Sequence, residues 1–248
     1  MSRIIAISQA RLSSTRLPRK ILKKILNKTL LDIHLERLKK ATLLDEICVA
    51  TTLTPNDRSI EQIVEAQNVS LSYGSETDVL DRYYIAAKAM RADYIVRITS
   101  DCPLIDPLLI DKVIKAALDS DADYFSNILV EHFPDGQDIE VIKMASLEKA
   151  WKEGKLPHHR EHVTTYIREN CTFNNGKSFS SENYECSGNY NSVRLTVDHI
   201  EDLNVIREII LNLGLEQTWE AYASYYLNAP NINNQNKDFV RNIALKKD

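Results

Sequence analysis

The sequence predicts an α/β fold in which a mainly parallel β-sheet is sandwiched between helices. Apolar, β-branched runs of four to seven residues alternate with amphipathic stretches of ten to sixteen residues, and this alternation is typical of βα units. A chain of 248 residues with 44% hydrophobic side chains can bury a full core, so we expect one domain over residues 1–248. The four cysteines have no C-x-x-C spacing, which favours reduced thiols in a cytoplasmic protein.

Seven of the apolar runs are predicted to be strands, because they are short and rich in β-branched residues. They are Arg3–Ser8, Glu46–Thr51, Val69–Tyr73 and Tyr94–Thr99, with weaker signals at Tyr124–Asn127, Ile139–Lys143 and Val193–Val197. A polar segment at residues 170–191 is predicted to form a loop or hairpin.

The helices predicted around these strands carry apolar residues at spacings of three and four. Asp106 and Pro107 form a helix start, an N-cap residue followed by proline, and Thr77 is predicted to be another N-cap. The predicted helices are Thr29–Thr42, Asp57–Gln67, one that opens at Thr77, Asp106–Asp119, Ser146–Glu153, His158–Arg168, Ile200–Leu213 and Glu216–Leu227.

Positive charge is concentrated near the N-terminus. The net charge of −4 argues against a protein that coats nucleic acid, yet residues 1–31 hold eight cations and no acid. We therefore expect an anion-binding site in this region. The apolar run Ile4–Ile7 is too short for a signal peptide or a membrane span, so no membrane partner is expected.

The loop after the first strand gives the strongest functional signal. It contains no glycine, since the first glycine of the chain is Gly74, and this excludes a P-loop and a G-x-G-x-x-G turn there. Guanidinium groups bind phosphate oxygens in pairs, so the loop predicts a polyphosphate site at the carboxyl end of a central strand. A solvated basic face or a nucleic-acid patch is the alternative. The loop's cations and hydroxyls are Arg11, Arg16, Arg19, Lys20, Ser13, Ser14 and Thr15.

Six blocks of the sequence, in order, resemble the cytidylyltransferases that activate sugars, in particular the spore-coat-polysaccharide type. The blocks are Gln9–Leu22, Gly74–Arg82, Arg97–Ile105, Asp135–Val141, Arg160–Thr164 and Arg194–Leu203. Related enzymes make CMP-linked 3-deoxy-octulosonate and CMP-sialic acid. The resemblance implies a fold like that of nucleotide-diphospho-sugar transferases, a lid or dimerisation region at about residues 130–195, and a homodimer. It also implies transfer of CMP from CTP to a sugar or sugar acid, release of pyrophosphate, and Mg²⁺ as cofactor.

The resemblance implies roles for individual residues. The implied catalytic residues are Arg11, Lys20, Asp101 and Asp198, and the last two are the implied metal ligands. The implied nucleotide-binding residues are Ala10, Arg11, Ser14, Arg16, Lys20, Asp78 and Arg82. The implied sugar-binding residues are Asp138, Glu140, Arg160 and His162. One departure is Arg19, which stands where the family usually has glycine and puts the loop's backbone geometry in question.

These assignments have structural alternatives. The two acids that follow predicted strands suit a hard cation, but Asp101 could shape a turn and Asp198 could cap a helix. Asp78 and Arg82 could form an ion pair within a helix. Asp138 and Glu140 could lie on a solvent-facing edge strand, and Arg160 and His162 on a surface helix.

Three other functional interpretations stay open at this stage. His158 and His162 have the i, i+4 spacing of zinc ligands, but no third ligand is patterned nearby. A glycosyltransferase would carry a D-x-D metal motif after a strand, and the spelling at Asp121-Ala122-Asp123 precedes one. A protein that binds a nucleotide without turnover is the third. Release of pyrophosphate would separate the last two from a nucleotidyltransferase.

Overall fold

The computed structural model describes residues 2–54 and 58–241. The strands are β1 (Ile4–Gln9), β2 (Lys24–Ile25), β3 (Lys28–Thr29), β4 (Glu46–Thr52), β5 (Ser70–Gly74), β6 (Tyr94–Arg97), β7 (Tyr124–Ser126), β8 (Glu140–Lys143) and β9 (Ser181–Asn183). The main sheet has the order β5-β4-β1-β6-β8-β7-β9, and β2 pairs with β3 separately. Four of the six pairings in the main sheet are parallel, which confirms the prediction of a mainly parallel sheet.

Helices cover both faces of this sheet. They are α1 (Leu30–Leu38), α2 (Arg58–Ala66), α3 (Val79–Ala89), α4 (Pro107–Ser120), α5 (Met144–Glu153), α6 (Pro157–Glu161), α7 (Thr165–Glu169), α8 (Ile200–Leu213), α9 (Trp219–Asn228) and α10 (Pro230–Asn233). Ile4 and Ala6 of β1 join the core that α1, α4 and α8 share, whereas Ile5 and Ile7 join the core of α3 and α5. Because successive strand residues point to opposite faces, the helices sandwich the sheet as predicted.

Local signals in the sequence set several helix starts. The Asp106 carboxylate accepts a hydrogen bond from the Leu108 backbone N–H at 2.8 Å, which confirms the predicted start of α4. The predicted cap of α3 is wrong by one residue, because Asp78 and not Thr77 accepts from the Asp81 backbone N–H, at 2.9 Å. Threonine and aspartate are both good caps, so the sequence alone does not choose between these neighbours.

The part of the chain between residues 158 and 197 departs most from prediction. The predicted helix His158–Arg168 is divided into α6 and α7, because Val163 between them has the left-handed φ of 49° that a helix cannot continue through. The predicted strand Val193–Val197 makes one isolated β-bridge, from Arg194 to Asp135. Strand β9 lies in the segment predicted to be a loop or hairpin.

Two further predictions concern the start of one helix and the membrane. The predicted start of the second helix, Asp57, lies outside the described residues. Over residues 2–54 and 58–241, no helix has the length and apolar character that crossing a bilayer requires.

Candidate active site

A cleft of about 410 Å³ opens at the carboxyl ends of β1 and β6. It is lined by the loop at residues 10–20, the turn at residues 99–102, the connection from α6 to α7, and the segment at residues 194–198. Ligands of open α/β sheets bind at this edge. All the site residues predicted from the sequence line this cleft except Asp78 and Arg160.

The two predicted metal ligands, Asp101 and Asp198, contact the same cation. The Lys20 Nζ atom is 2.7 Å from a carboxylate oxygen of Asp101 and 2.8 Å from one of Asp198. Arg16 adds a second positive charge, with its Nη2 atom 2.9 Å from the same Asp198 oxygen. The Lys20 side chain is only 14% exposed, and those of Asp101 and Asp198 are 24% and 18% exposed. Residues from three distant parts of the sequence therefore form one compact charge cluster.

The charges of this cluster support one another. Burial alone would lower the pKa of Lys20, but the two neighbouring carboxylates outweigh burial and raise it above its usual range. Burial alone would raise the pKa of Asp101, and the Lys20 ammonium group overcomes this and holds it well below its usual range. Both groups are therefore charged at neutral pH.

The structure also bears on the structural alternatives for the two acids. Helix α8 is capped by the carboxylate of Asp202, which accepts from the backbone N–H groups of Asp198 and His199, both at 2.9 Å. The carboxylate of Asp198 is thus not needed as a cap and contacts Lys20 and Arg16 instead. The Asp101 carbonyl accepts from the Val197 backbone N–H at 2.9 Å, so the backbone holds the two acidic turns side by side.

A buried histidine positions the turn that carries Asp101. His34 is fully buried in α1, and its Nδ1 atom lies 3.0 Å from the carbonyl oxygen of Cys102. Burial lowers the pKa of His34 to about 4, so the ring is neutral at physiological pH. Nδ1 then donates to Cys102, and the Ser8 hydroxyl at 2.9 Å donates to Nε2. Sequence periodicity predicts that this position lies in a helix and gives no sign of this contact.

The basic loop presents its charges unevenly. Arg11, Ser14, Arg16 and Lys20 line the cleft, whereas Arg19 does not and is exposed elsewhere. Arg19 has φ 56° and ψ 33°, a left-handed conformation in which glycine is favoured. This is the position where the sequence departs from the family's glycine, so the backbone keeps a glycine-like conformation in spite of the arginine side chain.

A second part of the cleft wall contains arginine–carboxylate pairs. Glu140 is 1% exposed; it pairs with Arg97 and accepts a hydrogen bond from the Tyr124 hydroxyl at 2.6 Å. Asp138 pairs with Arg241, near the end of the described chain. The two acids do not alternate along one strand as predicted, because β8 begins only at Glu140. Asp138 lies in the turn before it.

A second network in the cleft wall was not predicted from the sequence. The Arg194 guanidinium donates to Asp135 at 2.6 Å and to Asp202 at 2.8 Å, and it lies 3.6 Å from Asp198. Arg194 therefore links the metal-ligand candidate Asp198 to Asp135 and Asp202. Burial and the neighbouring Asp138 raise the pKa of Asp135 to about 7, against the influence of Arg241 and Arg194.

One glycine allows these two segments to lie against each other. Gly136 has φ 107°, and a Cβ atom there would lie 2.7 Å from the backbone of Leu195. The Asp135 turn and the Arg194 segment therefore approach more closely than a side chain would permit.

Four charged residues that line the cleft were missed by the sequence prediction. They are Arg97, Asp135, Arg168 and Arg194. Three of the four lie inside the resembling blocks, but no spacing among them indicated a role.

The two remaining predicted site residues bind each other. Arg160 donates to the Asp78 carboxylate at 2.8 and 2.7 Å, and both line a separate surface cavity of about 490 Å³.

The acids of the D-x-D spelling make contacts that stabilise the fold. Asp121 pairs with Lys143 at 2.7 Å, and Asp123 accepts from the Ser180 backbone N–H at 2.8 Å. Neither acid lines the cleft.

Comparison with known proteins agrees with the resemblance seen in the sequence. A family model described as cytidylyltransferase matches residues 5–239. An uncharacterized protein of Methanocaldococcus jannaschii is 42% identical over 222 residues, which are 87% of this chain and 88% of that protein. The spore coat polysaccharide biosynthesis protein SpsF of Bacillus subtilis is 30% identical over 219 residues, 86% of this chain and 89% of its own length.

A solved structure of another protein has the same fold over nearly the whole chain. A cytidylyltransferase from Leptospira borgpetersenii superposes with a TM-score of 0.90 at 33% sequence identity. The match covers 97% of this chain and 100% of the Leptospira chain. The fold, the family model and the full-length relatives therefore agree, and this chain belongs to the cytidylyltransferase family.

Proposed function

We propose that this protein transfers CMP from CTP to a hydroxyl group of a sugar or sugar acid and releases pyrophosphate. The observation that carries the proposal is the convergence of Asp101 and Asp198 on one cation, within a cleft that the arginines of the basic loop also line. Carboxylates that hold a divalent cation, together with fixed cations for phosphate oxygens, are what nucleotidyl transfer requires. Membership of the family supports the cytidine nucleotide.

Asp101 and Asp198 are suitable ligands for Mg²⁺. Their oxygens lie within 2.8 Å of one nitrogen atom, so the two carboxylates face a single cation position. Carboxylate oxygens are the ligands that Mg²⁺ prefers, and this ion also binds substrate phosphates. When bound, the ion neutralises negative charge on the phosphoryl oxygens and lowers the pKa of a coordinated hydroxyl.

The side chains of the basic loop bind the triphosphate in this proposal. Arg11 and Arg16 donate to phosphate oxygens, Ser14 adds a hydroxyl, and Lys20 adds a point charge. Ala10 and the buried Arg82 also line the cleft, and we assign them to nucleotide binding. Negative charge grows on the phosphoryl oxygens and on pyrophosphate as the reaction proceeds, so cations held in place stabilise the transition state more than the ground state.

The acceptor sugar binds against Asp138, Glu140 and His162 in this proposal. All three residues line the cleft. The sugar oxygen forms its bond to the α-phosphorus as the bond to pyrophosphate breaks, and the hydroxyl proton is lost. We assign no general base. Asp78 and Arg160 satisfy each other's charge outside the cleft, and we give this pair a structural role.

We further propose that residues 130–195 act as a lid or dimerisation region within a single domain, in a cytoplasmic homodimer. Support comes from the walls of the cleft, since His162, Thr164 and Arg168 of this region line it. A measurement of molar mass in solution by light scattering tests the homodimer, and a monomeric mass at working concentration would contradict it.

The function is tested by measuring pyrophosphate release with Mg²⁺ and each of CTP, UTP, ATP and GTP. The acceptors are a panel of sugar acids, amino sugars and sugar phosphates. We expect release with CTP and one class of acceptor. Release with another nucleotide alone would contradict the cytidylyl assignment, and tight CTP binding without release from any acceptor would favour a binding protein. Consumption of a nucleotide sugar without pyrophosphate would indicate a glycosyltransferase.

A further inference from the structure

Three side chains of metal-ligand type lie together outside the cleft, where α6 meets α7. The Nε2 atom of His158 is 3.1 Å from one carboxylate oxygen of Glu169, and the Nε2 atom of His159 is 2.8 Å from the other. One ligand atom from each residue lies within 4.8 Å of those of the other two. We propose that His158, His159 and Glu169 form a binding site for a zinc-type divalent cation, separate from the carboxylate pair of the cleft.

The sequence indicated only one ligand of this site. Because it predicted a continuous helix, it paired His158 with His162, which is not a member of the site. The break at Val163 ends α6 and lets α7 bring Glu169 back to His158 and His159. The third ligand, which the sequence pattern lacked, is thus supplied by the change of chain direction.

The three groups are near enough to one another to reach a single ion after a small adjustment. Zinc bonds of about 2.0–2.2 Å at tetrahedral angles place neighbouring ligand atoms roughly 3.4 Å apart. The two observed distances, 2.8 and 3.1 Å, run to different oxygens of Glu169, and one ligand atom from each residue lies within 4.8 Å of the other two, so the carboxylate has to shift by about an ångström for all three groups to face one ion. Glu169 can make this adjustment because its side chain is 47% exposed, while the buried ring of His159 is held by an edge-on contact with Tyr166. The exposed side leaves room for water as a fourth ligand.

The donor atoms select the class of metal. Two imidazole nitrogens and one carboxylate suit zinc and its borderline neighbours cobalt and nickel, whereas Mg²⁺ prefers oxygen ligands only. On binding the metal through Nε2, each imidazole would carry its proton on Nδ1 in place of Nε2. Binding has a cost, because the Leu156 backbone N–H points at His159 Nδ1 from 3.4 Å and this nitrogen would have to become a donor. We therefore expect micromolar rather than nanomolar affinity.

The site would fix one wall of the cleft. Helices α6 and α7 have five residues each, and the connection between them carries His162 and Thr164, which line the cleft. A metal held by the start of α6 and the end of α7 would tie together the two helices that flank this connection. The ion would therefore stabilise the wall without contacting the nucleotide.

The test is a zinc titration of the full chain, stripped of metal, against a chromogenic chelator in excess Mg²⁺, which saturates sites made of oxygen ligands. We expect stoichiometric zinc binding that weakens at least tenfold in His159→Gln and in Glu169→Gln. His132→Gln removes a histidine outside the site and is the control, for which no change is expected. Cobalt should give the visible absorption of a tetrahedral site in the wild type and in the control, and lose it in both site variants.

Two results would overturn the proposal: the absence of zinc binding at micromolar concentrations, or binding that both site variants leave unchanged. Because Glu169 is half exposed, Glu169→Gln is expected to fold and decides the question even if replacement of the buried His159 prevents folding. The titration requires neither CTP nor turnover, so its outcome is independent of the proposed function.

Discussion

The two parts of the cleft to which we assign the triphosphate and the acceptor are built in different ways. At the phosphate end, six charged or hydroxyl side chains come from one loop of eleven residues. They meet two acids that lie far away in the sequence, since Lys20 is separated from Asp101 by 81 positions and from Asp198 by 178. At the acceptor end, both members of each pair come from distant segments: Arg194 and Asp135 are separated by 59 positions, and Arg241 and Asp138 by 103. The cations of the phosphate end are thus encoded together in one loop, whereas their acidic partners and the whole acceptor end depend on how the chain packs.

The largest expected effect concerns the phosphate end. Asp101→Asn keeps the shape of the side chain but removes one of the two carboxylates that face Lys20, so we expect turnover to fall by at least about 100-fold with the fold intact. The control is Asp121→Asn, which changes an exposed acid of the D-x-D spelling that pairs with Lys143. Pyrophosphate release and circular dichroism provide the two measurements. Wild-type turnover in Asp101→Asn would remove the metal assignment.

A smaller and more selective effect is expected at the acceptor end. Arg241→Gln leaves Asp138 without its ion pair, so we expect the KM for the acceptor to rise roughly tenfold, while the KM for CTP changes little. Arg207→Gln, in α8 and bonded to Asn204 at 3.2 Å, is the matched control. If both KM values rise together in Arg241→Gln, the two ends are coupled and the distinction between them fails.

The contrast between the ends explains what the sequence could predict. The parallel strands, the basic loop and Asp101 follow from short-range patterns, because a strand, its turn and the next helix are specified by neighbouring residues. Arg194, Asp135 and Arg241 could not be found in this way, since their partners are chosen by tertiary packing. The pairing of Asp78 with Arg160, across 82 positions, escaped prediction for the same reason.

Backbone conformation was the other limit. Val163 takes a left-handed φ although its β-branched side chain disfavours it, and apolar periodicity gives no warning of such a residue. The prediction of one helix there was therefore wrong. At Arg19 the resemblance did give a warning, because a family that prefers glycine at one position often has a positive φ there, and the structure has φ 56°.

The smallest expected effect tests this last point. Arg19→Gly should relieve the left-handed strain and raise the free energy of unfolding by about 0.5–1 kcal/mol, after the entropy that glycine adds to the unfolded chain is subtracted. Lys23→Gly, three residues after the loop at an ordinary φ of −64°, carries the same entropic cost without relief and should be destabilising. Urea unfolding compares the two variants. Because Arg19 lies outside the cleft, the KM for CTP should stay unchanged in Arg19→Gly. A higher KM would instead place Arg19 among the phosphate ligands and add one more cation to those that the basic loop contributes.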